Sequence, residues 1–165
     1  MAKLFLRDTA CSTNGDLPKI GDKAPNFNLI KTDLSNTQLS DYAGSNIILN
    51  IFPSIDTSTC AASVRQFNQR ASSLQNTKVL CVSRDLPFAQ KRFCGAEGIE
   101  SVDTASDFAT GEFGKKYGLE MIDGPLAALH ARAIVVIDSN GIVKYTELVP
   151  NIVDEPNYNA AIAAV

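Results

Sequence analysis

The chain has 165 residues, of which 45% are hydrophobic and 20% charged, and its formal net charge is −3. This length predicts one globular domain spanning residues 1–165, with enough chain to bury a core. The small negative charge argues against a nucleic-acid partner and against binding to an anionic membrane. Arg7 and Asp8 interrupt the first apolar residues, and no stretch resembles a membrane span, so we expect a cytoplasmic location.

The cysteines also limit the possible chemistry. There are four of them, Cys11, Cys60, Cys81 and Cys94, with one histidine, His130, and no C-x-x-C motif. These spacings argue against a zinc site, and no metal or organic cofactor is expected. In a reducing compartment four thiols do not form a structural disulfide framework, so each is either inert or chemically active.

Hydrophobic patterning predicts the following elements in chain order. They are a short strand pair in residues 3–14, a strand near 27–30, a buried strand over 46–52, a helix over 60–74, a strand over 79–83, a helix over 87–98, a weak helix over 108–118, a hairpin from 131–138 and 142–148, and a helix over 156–165. This alternation predicts an α/β fold with parallel central strands. The order is that of a thioredoxin-like three-layer fold, with a central mixed sheet and an N-terminal β-hairpin.

Cys60 is the first candidate for a functional residue. It shares a helical stripe with Val64 and Phe67, which is typical of a buried, unreactive cysteine. Two features favour reactivity instead. Thr57 is a suitable N-cap, so Cys60 falls in the first helical turn, where free N–H groups and the helix dipole stabilise a thiolate. Pro53 ends the preceding strand and can place the thiol in a shielded pocket.

A reactive thiolate usually needs a nearby cation or base. His130 and Arg132 both precede the apolar strand AIVVID. A histidine can act as a general base, whereas an arginine stays charged and can stabilise a thiolate. From its position alone, a solvated charge at the strand end is the favoured interpretation of Arg132.

Three longer motifs, which follow one another along the chain, reduce the number of possible functions for Cys60. The residues from Pro53 to Cys60 read PSIDTSTC and match P-x-x-x-[TS]-x-x-C, the signature of the peroxiredoxins. Together with SRDLPFAQKRFCGAEG and DGPLAALHARAIVVID, they resemble the thiol peroxidase subfamily, an atypical two-cysteine group. The resemblance extends from about Pro18 to Tyr158, almost the whole chain.

This resemblance implies a function and a set of site residues. Members reduce hydrogen peroxide and organic hydroperoxides, serve in antioxidant defence, are usually homodimers and are recycled by thioredoxin. By resemblance Cys60 is the peroxidatic cysteine, Thr57 and Arg132 bind and polarise the peroxide, and Pro53 shields the sulfur. Cys94 corresponds to the resolving cysteine, which forms a disulfide with Cys60 of the same subunit.

The remaining cysteines and the histidine receive simpler interpretations. Cys81 lies inside the strand VLCVS and is expected to be an inert core thiol. Cys11 corresponds to nothing in the family and is treated as incidental, and His130 is expected at the surface. Since a disulfide needs Cα atoms roughly 4.4–6.8 Å apart, we expect local unwinding around Cys60 and Cys94 when they join.

Three other functions stay open at this stage. A cysteine hydrolase would use Cys60 with His130 as base, but it leaves Cys94 unexplained. A thioredoxin-like disulfide reductase would need a second cysteine where the chain has Thr57. A peroxide sensor that passes oxidation to a partner protein would use the same chemistry at Cys60.

Overall fold

The computed structural model describes all 165 residues. The strands are β1 (Lys3–Leu6), β2 (Thr9–Ser12), β3 (Asn28–Lys31), β4 (Asn36–Gln38), β5 (Asn46–Ile51), β6 (Thr77–Ser83), β7 (Asp103–Ser106), β8 (Ala133–Ile137) and β9 (Val143–Leu148). The α-helices are α1 (Ser58–Ala71), α2 (Pro87–Glu97), α3 (Glu112–Lys116) and α4 (Tyr158–Ala163), with a 3₁₀ turn at Leu39–Tyr42. None of these helices has the length and apolar character needed to cross a membrane.

Seven strands form one mixed sheet in the order β4-β3-β7-β6-β5-β8-β9. The central strands β5, β6 and β7 run parallel, whereas β8 and β9 form an antiparallel hairpin beside β5. The apolar run NIILNI of β5 suits its central place, because a strand covered on both faces needs apolar residues at nearly every position. The two N-terminal strands form a separate two-stranded sheet, which is the predicted hairpin, and Phe5 of β1 also forms an isolated bridge with Asn151.

The sequence interpretation missed the three-residue edge strand β4 and, nearer the centre of the sheet, strand β7. It pairs in parallel with β6 and antiparallel with β3, so it joins the central strands to the β3–β4 edge. Its residues, Asp103 to Ser106, read DTAS and contain no large apolar side chain. Periodicity therefore had no pattern to detect in this strand, which is held by ladder hydrogen bonds and by its neighbours.

The sheet separates two hydrophobic cores. One contains 13 buried residues and lies beneath α1 and α4, and it includes Cys60, Phe67 and Cys81. The other contains 21 buried residues on the opposite face, around Phe27 and Phe113. Successive residues of a strand point to opposite faces, so β5, β6 and β8 each supply side chains to both cores. This gives the predicted three layers, with helices on the two faces of the sheet.

Candidate active site

Cys60 is fixed at the start of α1 by the loop that follows β5. Thr57 is the N-cap, with extended backbone angles (φ −94°, ψ 148°), and Cys60 is the third residue of the helix. Its amide therefore belongs to the first turn, where N–H groups have no partner within the helix. The Cys60 side chain is completely buried. The predicted helical stripe and the predicted position in the first turn are therefore both present.

Arg132 lies against the sulfur of Cys60. Its Nη2 donates to the Cys60 Sγ at 3.3 Å, and its Nε donates to the carbonyl oxygen of Ile152 at 2.9 Å. The side chain is only 1% exposed, so the solvated strand end favoured from position alone is wrong. A buried guanidinium is tolerated where it has hydrogen-bond partners and a negative charge to stabilise. Its Nη1 is buried without a partner in the chain.

Thr57 does not cap α1 with its side chain, although it is the N-cap residue. Its hydroxyl instead donates to the carbonyl oxygen of Ser54 at 3.0 Å. Because the hydroxyl proton is used in this bond, the lone pairs of the oxygen are left to accept a hydrogen bond from a ligand. Thr57 is exposed, so a ligand can reach it.

A cavity of about 620 Å³ opens at this point of the fold. Pro53, Thr57 and Arg132 all line it, with the buried Cys60 directly against Arg132. Its other wall comes from the N-terminal hairpin turn and from the segments around Leu126 and Ile152. The structure therefore brings four of the five predicted site residues together.

Cys94 is the predicted site residue that lies apart. It is half-buried in α2 and lines a second cavity, of about 390 Å³, with Gly95 and Gly98. Burial raises the pKa of its thiol above the ordinary value. All four cysteines are free thiols in this structure. Cys94 therefore lines a different cavity from Pro53, Thr57 and Arg132.

Asp85 is a site residue that sequence reasoning did not single out. Its carboxylate accepts hydrogen bonds from the Ser54 hydroxyl at 2.7 Å, the Ile55 amide at 2.7 Å and the Ser83 hydroxyl at 2.6 Å. It follows β6 and precedes α2, so it joins the loop before Cys60 to the segment that leads to Cys94. The only signal was its place in the motif SRDLPFAQKRFCGAEG, in which Cys94 was the only residue assigned a role in the site.

The expectation that His130 lies at the surface is wrong. The side chain is fully buried, and its Nε2 lies 2.9 Å from Oδ2 of Asp107. The same carboxylate accepts hydrogen bonds from the amides of Phe113 and Gly114 at the start of α3. A carboxylate buried in this way needs several donors, and the histidine supplies one of them. His130 is thus paired with Asp107 through Nε2, its Nδ1 has no partner in the chain, and the Cys60 sulfur is contacted by Arg132 instead.

Cys81 behaves as an ordinary core thiol. It is fully buried, and burial raises its pKa to about 12, although Asn50 donates a hydrogen bond to the sulfur at 3.6 Å. The thiol therefore stays protonated and unreactive near neutral pH. No group of three or more His, Cys, Asp or Glu side chains is arranged to hold a metal ion.

Comparison with known proteins finds similar sequences and a similar fold. The family model described as Redoxin matches residues 19–162. The thiol peroxidases of Mycobacterium tuberculosis and Corynebacterium glutamicum are 55% and 49% identical over 165 residues, which cover 100% of this chain and 99% of each relative. The crystal structure of a peroxiredoxin-like protein from Aquifex aeolicus has a TM-score of 0.93 at 34% identity, covering 99% of this chain and 95% of that one.

These likenesses confirm the predicted thioredoxin-like fold and the resemblance that was read from the three motifs. The match to the family model and the identity to the relatives both extend over nearly the whole chain. The protein therefore belongs to the redoxin family and, within it, to the thiol peroxidase subfamily of the peroxiredoxins.

Proposed function

We propose that this protein is a thiol-dependent peroxidase that reduces hydrogen peroxide and organic hydroperoxides, with Cys60 as the peroxidatic thiol. The observation that carries the proposal is the buried contact of 3.3 Å between Arg132 Nη2 and the Cys60 sulfur. A fixed cation and the first turn of α1 both stabilise negative charge on this sulfur. Arg132 also lines the adjoining cavity with Pro53 and Thr57, so a peroxide in this cavity would lie next to the group that contacts the sulfur.

In the first step, the Cys60 thiolate attacks one oxygen of the peroxide. An S–O bond forms and the O–O bond breaks, so the sulfur is oxidised to a sulfenic acid, and the other oxygen leaves as hydroxide or alkoxide and takes a proton from solvent to give water or an alcohol. The unpartnered Nη1 of Arg132 is a donor for the oxygen on which charge develops, and the Thr57 oxygen is an acceptor for the peroxide hydroxyl. Pro53 is buried at the cavity wall and shields the sulfur from water.

In the second step, Cys94 resolves the sulfenic acid within the same subunit. The Cys94 sulfur attacks the Cys60 sulfur, an S–S bond forms, and the hydroxyl of the sulfenic acid leaves as water with the thiol proton. Because Cys94 lies in a separate cavity, part of α2 has to unwind first. Gly95 inside the helix and Gly98 at its C-terminal end (φ 65°) lower the cost of that change.

We further propose that thioredoxin reduces the disulfide, that the protein is a homodimer of single-domain subunits spanning residues 1–165, and that it acts in the cytoplasm in antioxidant defence. These statements come from the family resemblance. The chemistry supports the first of them, because a disulfide between two cysteines of one subunit is a suitable substrate for a dithiol reductant.

The proposal is tested by peroxide consumption in the presence of thioredoxin and thioredoxin reductase. We expect turnover with the wild type, none with Cys60→Ser, and a single oxidation event with Cys94→Ser. Cys81→Ala serves as the control, because it also removes a thiol of the same core and should remain active. Full activity of Cys60→Ser would overturn the proposal, and one oxidation without turnover in the wild type would favour a peroxide sensor.

A further inference from the structure

Two ion pairs connect α2 to the segment that carries Cys60. On α2, Arg92 donates through Nη2 to Oδ1 of Asp56 at 2.9 Å, and Asp56 lies in the loop just before α1. On α1, Arg65 donates through Nε and Nη2 to the two carboxylate oxygens of Glu97, at 3.0 and 2.9 Å. Arg92 and Glu97 lie on either side of Cys94 in the sequence. On both sides of this cysteine, the two contacts therefore attach α2 either to α1 or to the loop just before it.

The pair between Arg65 and Glu97 has the stronger geometry. Two parallel N–H···O bonds give it a bidentate arrangement, which is more specific than a single contact. These hydrogen bonds lower the pKa of the Glu97 carboxyl below its ordinary value. The same guanidinium lies 5.7 Å from the ring centre of Phe93, the residue next to Cys94. Arg65 thus contacts α2 at two places close to the resolving thiol.

We propose that these four residues, Asp56, Arg65, Arg92 and Glu97, are positioning residues that keep Cys94 away from Cys60 until α2 unwinds. We call this group the α1–α2 clasp. The inference rests on the proposed role of Cys94 as the resolving thiol. Whenever Cys94 moves toward Cys60, α2 loses the geometry that both ion pairs require, so the clasp sets how often the helix opens.

The rate of opening matters because the sulfenic acid on Cys60 has two possible fates. It condenses with the Cys94 thiol and releases water, or it reacts with a second peroxide molecule and becomes a sulfinic acid. In the second reaction the sulfur gains an oxygen, and the peroxide is reduced to water or an alcohol. A tighter clasp keeps α2 folded for longer and favours the second fate. The clasp thereby sets the peroxide concentration at which the enzyme is inactivated.

The expected size of the effect follows from the exposure of the pairs. The side chains of Arg92 and Asp56 are 68% and 63% exposed, so salt screens their interaction. Exposed pairs of this kind have small effects, and removing one should speed disulfide formation by about 1.5- to 5-fold. Removing both should have a larger effect. High salt should accelerate the wild type and leave the double variant nearly unchanged.

The test is a single-turnover experiment on the reduced full-length protein. One equivalent of hydrogen peroxide is added, the reaction is stopped with a thiol-alkylating reagent, and the Cys60–Cys94 disulfide is followed by mass spectrometry. We expect faster disulfide formation in Glu97→Gln and Arg92→Gln, and the fastest in the double variant. Glu112→Gln is the matched control, because it breaks an exposed pair with Lys116 in α3, away from both thiols.

A charge swap separates positioning from general damage to the fold. Arg65→Glu combined with Glu97→Arg should restore a slow rate, whereas Arg65→Glu alone should be fast. Hydrogen exchange of the α2 amides should rise in the single variants, independently of peroxide. If Glu97→Gln and Arg92→Gln form the disulfide no faster than the wild type, the proposed role of the clasp is wrong. A wild type that forms no disulfide with Cys94 would instead overturn the proposed function.

Discussion

Arg132 is held between two partners: its Nε donates to the carbonyl oxygen of Ile152 at 2.9 Å, and its Nη2 donates to the sulfur of Cys60 at 3.3 Å. The Ile152 carbonyl belongs to the segment after β9, so the backbone sets the direction of the guanidinium. Its Nη1 has no partner within the chain. This arrangement is organised before a peroxide binds, which is the condition under which electrostatic stabilisation of a transition state costs least.

The first prediction concerns Arg132→Lys. Lysine keeps the positive charge but lacks the planar group that bonds Ile152, Cys60 and a ligand at once. We expect the rate constant of Cys60 oxidation to fall by about 10²- to 10³-fold, as when a fixed transition-state donor is removed. Stopped-flow measurement of peroxide reduction checks this value. A rate equal to that of the wild type would show that charge alone is sufficient.

The second prediction concerns the buried pair formed by His130 and Asp107. His130→Gln should weaken the fold by about 1–3 kcal/mol, because it disturbs a buried hydrogen bond to a carboxylate. Cys60 oxidation should continue at the wild-type rate. Urea unfolding measures the first effect and stopped-flow kinetics the second. Loss of Cys60 oxidation in a variant that is still folded would contradict this prediction and would make His130 a candidate base for the Cys60 thiol.

The third prediction concerns helix α2. Gly95 is exposed, and a Cβ atom placed on it would meet no heavy atom within 4 Å. Gly95→Ala should therefore stabilise the helix by about 1 kcal/mol and slow disulfide formation by about fivefold. Ala96→Gly, at the next exposed position, should have the opposite effect. Quenched single-turnover assays compare the two, and equal rates would mean that resolution does not require α2 to unwind.

The fourth prediction concerns pH. The pKa of Cys81 rises from about 9 to about 12 on burial, so the folded state holds this proton more tightly than the unfolded state. The resulting contribution to stability is complete below about pH 9 and is lost as the pH rises toward about 12. The free energy of unfolding, measured in urea, should therefore fall more for the wild type than for Cys81→Ala between about pH 8 and about pH 10.5. An equal fall in the free energy of unfolding of both proteins would contradict this prediction.

Local patterns were sufficient to predict most of the fold. The apolar run of β5, the proline at the start of α2 and the β8–β9 hairpin each carry a signal within a few residues. Strand β7 carries no such signal, because its residues are small or polar and its place depends on two neighbouring strands. Pairing with β3 and β6 determines that these residues form a strand, so local sequence could not reveal it.

The candidate site, like the fold, contains some residues that local sequence reveals and others whose position depends on distant parts of the chain. The offsets among Pro53, Thr57 and Cys60 can be read directly because one loop and one helical turn hold all three. The burial of Arg132 depends on Cys60, which is 72 positions away, and that of His130 depends on Asp107, 23 positions away. For Arg132 the family motif supplied what position alone did not. For His130 no pattern near the residue pointed to its partner.

The two hydrophobic cores lie on opposite faces of the sheet, and this limits what a redox cycle can disturb. Cys60 is one of 13 buried residues in the core beneath α1, against which Cys94 packs, whereas the 21 buried residues of the other core include neither thiol. Unwinding α2 therefore hydrates apolar surface from one core only. Calorimetry of the oxidised protein should still show a cooperative transition with most of the heat-capacity increment of the reduced form.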